Sequence, residues 1–368
     1  AMQPQWLRQY FHQHDAADGH SETDEPVEAR GEDGVSRRDF VKAGVVAGMA
    51  AGAAAGAVIA QTGPAEAQAP NPMGRNWWPS PWGPNDEKGA YNRITPAKVL
   101  EASRLIRTGR IYPLSQMLET GIPLFGARHL SLTIPGGPTG GPFGTHALHY
   151  NDEMFSGELG QIGSQFDGLG HIGVKVGNEI RYYNGLTQAQ VGGAYGLEKL
   201  GVHNLGPIFT RGILLDVATY KGTDRLPIDY IITQDDVMQT LRRQGIREPG
   251  EGDVVLFHTG HSKLWKKYND EYNKGCPGPG KTVANWLVDK KVVVVGADTW
   301  PVEAVPGEDK DRPFECHAIW LTMNGIYINE NLNLDGLVRD RVYEFAWSFN
   351  PLALKGATGS PGNSVALA

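Results

Sequence analysis

The chain has 368 residues, of which 40% are hydrophobic and 20% charged, with a formal net charge of −7, the balance of an ordinary globular protein. The acidic balance and the scarcity of basic clusters exclude nucleic acid as the natural partner. Forty-eight glycines and 24 prolines point to tight turns and long connections rather than a helical bundle, and two cysteines are too few for a disulfide scaffold.

In chain order, residues 2–35 read as an unstructured leader rich in Asp, Glu and His. Ser36-Arg37-Arg38-Asp39-Phe40-Val41-Lys42 then matches the twin-arginine export consensus, followed by an Ala/Gly/Val stretch over 43–60 and an Ala65-Glu66-Ala67 cleavage pattern. The expectation is export to the periplasm and a mature chain starting near Gln68. The Ala/Gly-rich stretch makes a poor permanent span, so no stable membrane anchor is expected. Residues 68–92 read as an irregular arm. Thr95-Pro96 opens a helix as N-cap and first helical residue, with Gly109 as its stop. Strands are expected at 130–134, 212–217, 253–258, 292–297 and 326–328, most of them continuous apolar runs suited to burial on both faces. Helices are expected from Thr233, capped by Asp236 and closed by Gly245, near 282–288 and near 314–323. This alternation predicts one α/β domain with a central β core and flanking helices. The domain limits are 1–67 for signal and leader, 68–115 for arm and first helix, and 116–368 for the body. Lys263 to Lys267 reads as a solvated face, and Cys276 and Cys316 as either one bridge or two buried thiols.

The segment Gln161-Ile162-Gly163-Ser164-Gln165-Phe166-Asp167-Gly168-Leu169-Gly170-His171 packs two amides, a carboxylate and an imidazole into eleven residues. In an extended chain, Gln161, Gly163, Gln165 and Asp167 share one face. Gly168 and Gly170 would supply a turn at positive φ that swings His171 back to the same point. Oxygen donors with one imidazole suit a divalent cation.

This spacing resembles the signature of the cyclase family of metal-dependent hydrolases, His-x-Gly-Thr-His-x-Asp-x-Pro-x-His. Gly163, Asp167 and His171 match it, while Gln161 and Gln165 stand where histidines are usual, as in a Gln-rich subgroup. Tyr183-Asn184-Gly185, the run from Arg211 to Val217 and the run from Gly252 to Gly260 extend the likeness over roughly residues 75–350. The resemblance implies a swivelling β/β/α architecture and a homodimer or homotetramer. It also implies that His317, on a helix, and Glu330, at the end of the next strand, bind metal or orient the attacking water. The metal set is then Gln161, Gln165, Asp167, His171, His317 and Glu330, holding Mn2+ or Zn2+. The catalytic set is His171, His317 and Glu330, with His171 assigned as ligand and His317 as proton shuttle, roles that can be exchanged.

The chemistry expected is hydrolysis of a small-molecule lactone, cyclic amide or formamide; the alternatives are a carboxylate-binding protein without turnover, or a lyase or cyclase. Phe155, Phe166, Trp300 and Trp320 are candidate pocket walls, each with core packing as its ordinary reading, and Trp300 is favoured. Gly144-Thr145-His146 and His149 mimic the motif but lack a carboxylate two residues on, so they read as rim histidines. His258 and His261 read as structural. Asp298 and Glu303 are carboxylates behind the ligands or loop caps.

Overall fold

The twin-arginine run, the Ala/Gly/Val stretch and the cleavage pattern lie outside the residues that this computed structural model describes, which are 71–368. Those residues fall within one unit, Ala69–Ala368.

The apolar runs that cannot face water on either side become the middle of a nine-stranded sheet. In chain order its strands are β1 (Ile111–Pro113), β2 (Gln165–Asp167), β3 (Ile208–Asp216), β4 (Val254–His258), β5 (Val294–Ala297), β6 (Tyr327–Glu330), β7 (Glu344–Phe349), β8 (Gly359–Pro361) and β9 (Val365–Leu367). Their order across the sheet is β1-β9-β7-β3-β4-β5-β6-β2-β8. Strands β3 to β6 are parallel, in the register Gly212 to Val254, Val254 to Val294 and Val294 to Tyr327. Ile213, Leu214, Leu215, Val254, Val255, Leu256, Phe257, Val294, Val295 and Ile328 are fully buried, as a sheet covered on both faces demands. The flanks run antiparallel, β7 against β3 on one side and β2 against β6 on the other. The parallel strands therefore end on one edge, where Asp216, His258 and Glu330 are terminal residues and Asp298 follows directly.

Helix α1 (Pro96–Ser103) starts as expected, with the Thr95 side chain accepting from the Lys98 amide. It ends six residues before Gly109, because Thr108 and Arg110 donate their amides to the carbonyl of Ala368 and the chain is drawn onto the C-terminal strand. Helix α2 (Gln234–Gln244) has the full reciprocal capping box of Thr233 and Asp236, and Gly245 closes it at φ +68°. Helix α3 (Lys281–Asp289) buries Val283, Ala284 and Leu287. The helix expected near 314–323 forms in two parts: α4 (Glu315–His317) passes into a π-helical turn, Ala318–Met323. Such insertions shift side chains around the helix axis and gather at functional sites.

The arm is fastened to the body by buried and half-buried polar bonds over long chain separations. Trp77 donates to the Tyr182 carbonyl at 2.9 Å, the Ser80 amide to Asn184 at 2.7 Å, and the Tyr183 hydroxyl to Asp86 at 2.6 Å. Cys276 and Cys316 are both free and buried. At the amino end of β3, Arg211 is 1% exposed and spans Asp253 and Glu344 while donating to the carbonyls of Arg247 and Glu248.

Candidate metal centre

Strand β2 lies antiparallel to β6, with Gln165 opposite Glu330 and Asp167 opposite Ile328, so a carboxylate from each strand reaches the same buried space. The turn of α4 delivers His317 from the other side. One donor atom from each of Asp167, His317 and Glu330 lies within 4.8 Å of the other two. His317 Nε2 is 3.3 Å from Glu330 Oε1 and 3.9 Å from Asp167 Oδ2. Asp167 is completely buried, and its Oδ2 has no hydrogen-bond partner. An unpartnered carboxylate oxygen in the interior is strongly disfavoured unless a cation meets it. Two carboxylate oxygens and one imidazole nitrogen therefore fit a divalent ion, with manganese and zinc both compatible with that donor set.

The imidazole is held by Glu303, one of the two carboxylates for which the sequence left open a place behind the ligands or a loop cap. Glu303 Oε1 pairs with His317 Nδ1 at 2.5 Å, and the same carboxylate accepts the backbone amides of Cys316 at 3.0 Å and His317 at 2.8 Å. This fixes which nitrogen faces the cluster and raises the ligand's basicity. A carboxylate fourteen residues upstream, across an irregular loop, carries no periodic signal that would decide between those two readings. Asp298, by contrast, caps the loop after β4 by accepting from the amides of Thr259 and Gly260. Glu303→Gln is expected to keep the fold and lower metal affinity or turnover about 10 to 100-fold. Metal titration of the variant tests this, and an unchanged dissociation constant with unchanged turnover would refute the role.

Burial opposes protonation of His317, but Glu303 and Glu330 outweigh it and raise its pKa to about 10. Burial, then the charge on Asp167, pushes Glu330 up to about 8. The metal-free cluster thus holds protons that a metal must displace. Metal affinity is expected to rise with pH by about tenfold per unit for each proton displaced, steepest below about 8, where both groups hold a proton, and continuing to about 10 on the His317 proton alone. The metal-free fold should show the opposite trend: both groups have folded pKa values above their ordinary 6.5 and 4.5, so their contribution is present at low pH and is lost as pH rises towards 10. Thermal unfolding of stripped and metal-loaded protein between pH 6 and about 9 checks both signs.

The motif segment is built differently from the extended run expected. Leu159–Gln161 is a single 3₁₀ turn, Gly163 turns at φ +66°, and only Gln165–Asp167 is strand. Gln165 nevertheless reaches the cluster, but presents its amide nitrogen, 2.8 Å from Glu330 Oε2, 3.3 Å from Gln161 Oε1 and 3.4 Å from Asp167 Oδ1. Both glutamines thus surround the carboxylates, with Gln165 placed as a donor to them rather than as an oxygen ligand. Gly168 and Gly170 do not take positive φ. Glycine is required there by close approach, since a Cβ would lie 2.4 Å from Val202 Cγ1 at one and 2.4 Å from Leu197 Cδ1 at the other. His171 is accordingly not folded back into the converging trio. It borders it: burial lowers its pKa, opposed by the charge on Asp167, so the ring stays neutral at pH 7.

Beside the cluster is a cavity of about 20 Å³, room for roughly one water, lined among others by Phe125, Arg128, Gln161, Gln165, Trp300 and Glu330. Trp300 stacks on Phe125 at 4.7 Å, and Arg128 donates to the Gln161 carbonyl at 2.9 Å.

The Cyclase family model matches residues 112–304, a stretch that contains Asp167 and Glu303. The chain belongs to the cyclase family. A crystal structure described as a novel cyclase is 30% identical with a TM-score of 0.69, covering 78% of this chain and 96% of that one. Isatin hydrolase A from Ralstonia solanacearum is 21% identical with a TM-score of 0.50, over 74% of this chain and 97% of its own. An isatin hydrolase bound to the product analogue thioisatinate is 18% identical with a TM-score of 0.51, over 75% and 99%. These two likenesses are of fold. No curated protein matches the sequence.

Within this cyclase-family fold the remaining candidates separate cleanly. Phe166 and Trp320 are core residues and not pocket walls. Phe166 projects from the face of β2 opposite Gln165 and Asp167 and stacks on Tyr327 and Phe349 at 5.1 and 4.7 Å, while Trp320 is fully buried and directs Nε1 to the Ala284 carbonyl on α3. Phe155 lies on a hairpin, Leu130–Thr133 with Met154–Gly157, and is exposed. His146 and His149 sit on a second exposed hairpin. His258 is buried against Asp216 at 2.7 Å, and His261 against the Tyr272 carbonyl at 3.1 Å.

Proposed function

We propose that this cyclase-family protein is a divalent-metal-dependent hydrolase that opens a lactone, cyclic amide or formamide with water. The observation that carries the reading is the buried, unpartnered Oδ2 of Asp167 facing His317 Nε2 and Glu330. Asp167, His317 and Glu330 would hold the ion, Mn2+ or Zn2+. Such an ion would supply Lewis acidity, lowering the pKa of bound water to about 7 and polarising a carbonyl. Gln165 keeps the Glu330 carboxylate oriented through its 2.8 Å bond. Glu303 keeps Nε2 of His317 turned inward. His171, neutral because it is buried, has a ring nitrogen free to take a proton and return it to a leaving group, a role worth about 10² to 10⁴-fold. Trp300 and Phe125, stacked on each other beside the one-water cavity, would have to part for a planar substrate ring to lie against them.

The protein is also proposed to be exported by the twin-arginine route to the periplasm, with residues 1–67 as signal and leader, 68–115 as arm and first helix, and 116–368 as the catalytic body. No helix among the described residues is long and apolar enough to cross a membrane. A homodimer or homotetramer is proposed on the two hairpins over residues 130–157, which expose Leu132, Ile134, Phe143, Leu148 and Met154 and have no core of their own. Light scattering that returns a monomer mass would remove that part.

The deciding experiment strips the metal, reloads manganese or zinc, and measures turnover of a panel of lactones, cyclic amides and formamides. Metal-restored turnover of one class is expected. Tight metal-dependent binding with no product would favour carboxylate capture, and elimination or cyclisation products would favour a lyase.

A further inference from the structure

Three strands away from the metal centre, about 14 Å along the same sheet edge, the carboxyl end of β3 opens into a second cavity. Its volume is about 310 Å³, at the lower end of the range for small-molecule sites. It lies between the short helix Val217–Tyr220, helix α2 and the chain entering β7, and its lining includes Asp216, Tyr220, Thr240, Arg243, Arg341 and Tyr343. None of these residues lines the cavity beside Asp167.

The charges there are unequally matched. Asp216 is engaged from two sides, by His258 Nδ1 at 2.7 Å and by the Thr219 amide at 3.2 Å. Arg243 donates only to the Tyr220 carbonyl, at 3.3 Å, and the Arg341 side chain has no hydrogen bond or ion pair among the described residues. Their neighbour Arg339, in contrast, pairs with Asp340 at 3.0 Å. Thr240 is completely buried and its hydroxyl has no partner, although a helical threonine ordinarily bonds back to a carbonyl one turn earlier. A buried hydroxyl left unpaired is unfavourable unless a ligand atom meets it.

We infer that this cavity is a binding site for a small organic carboxylate, its oxygens taken by the guanidinium groups of Arg243 and Arg341 and by the Thr240 hydroxyl, its body lying between Tyr220 and Tyr343. Planar guanidinium groups suit the planar carboxylate fork, and the aromatic walls suit an organic body better than a free inorganic ion. This inference does not depend on the hydrolytic reading of the metal centre.

Calorimetric titration of the metal-loaded full chain with benzoate, succinate and inorganic phosphate tests it. Saturable binding of benzoate or succinate at one per chain is expected, weakened at least tenfold in the double variant R243Q/R341N, with turnover and metal content unchanged. Binding should persist in Asp167→Asn, which separates this site from the metal centre. If the double variant does not fold, Thr240→Val, of the same shape, is expected to lower affinity several-fold while melting no lower than the parent. Absence of saturable carboxylate binding, binding of phosphate alone, binding untouched by R243Q/R341N and by Thr240→Val, or binding lost in Asp167→Asn would overturn the assignment.

Discussion

Asparagine at position 167 is expected to produce a folded protein that has lost both its metal and at least about three orders of magnitude of turnover. On the proposed metal-dependent reading, the ion would supply several kcal/mol of transition-state stabilisation, and about 4 kcal/mol corresponds to roughly 10³-fold. Asp167 is completely buried and its Oδ2 meets no donor, so a neutral amide of the same shape removes both the anionic ligand and the repulsion that this charge exerts on Glu330. The stripped variant should therefore melt at or above the stripped parent, because an unpartnered buried charge has been taken away. Elemental analysis, turnover and thermal unfolding measured side by side check the three parts. A variant with full metal content and full turnover would end the metal reading of this site.

The second large effect is on stability. Arg211→Met is expected to destabilise the fold by about 3–5 kcal/mol, because the buried Asp253 keeps only Lys98 and the Gly250 amide while Glu344 and two backbone carbonyls lose their donor. The double variant R211M/D253L should regain much of that loss, since replacing a buried ion pair with apolar groups of similar volume is often neutral. Urea unfolding at constant m-value measures both. A single-variant loss below about 1 kcal/mol would show that Lys98, which also pairs with Asp253, is sufficient to hold the carboxylate.

The parallel strands and capped helices were legible in the chain because their signals are local. Val254, Val255, Leu256 and Phe257 form an apolar run, and Thr233 with Asp236 forms a cap within three residues. Strands β1, β8 and β9 were not legible, being three residues each and paired over long separations, such as Ile111 with Leu367. The aromatic candidates divided for a similar reason. Phe166 and Trp300 are equally apolar as letters, but one alternates to the core face of β2 while the other stacks on Phe125 beside the cluster.

Sequence alone, through the motif and its likeness to the cyclase family, determined the family, the mixed α/β class, and Asp167, His317 and Glu330 as the residues to watch. Those are properties of residue type and short spacing, which the chain carries before it folds. Tertiary structure alone decided that Glu303 backs His317, that Gln165 faces the carboxylates with its amide nitrogen, that Gly168 and Gly170 serve close packing rather than a reversal, and that His171 borders the trio instead of joining it. Each of these depends on which segments distant in the chain approach within a few ångströms, and burial and pairing are set by that approach rather than by the order of residues.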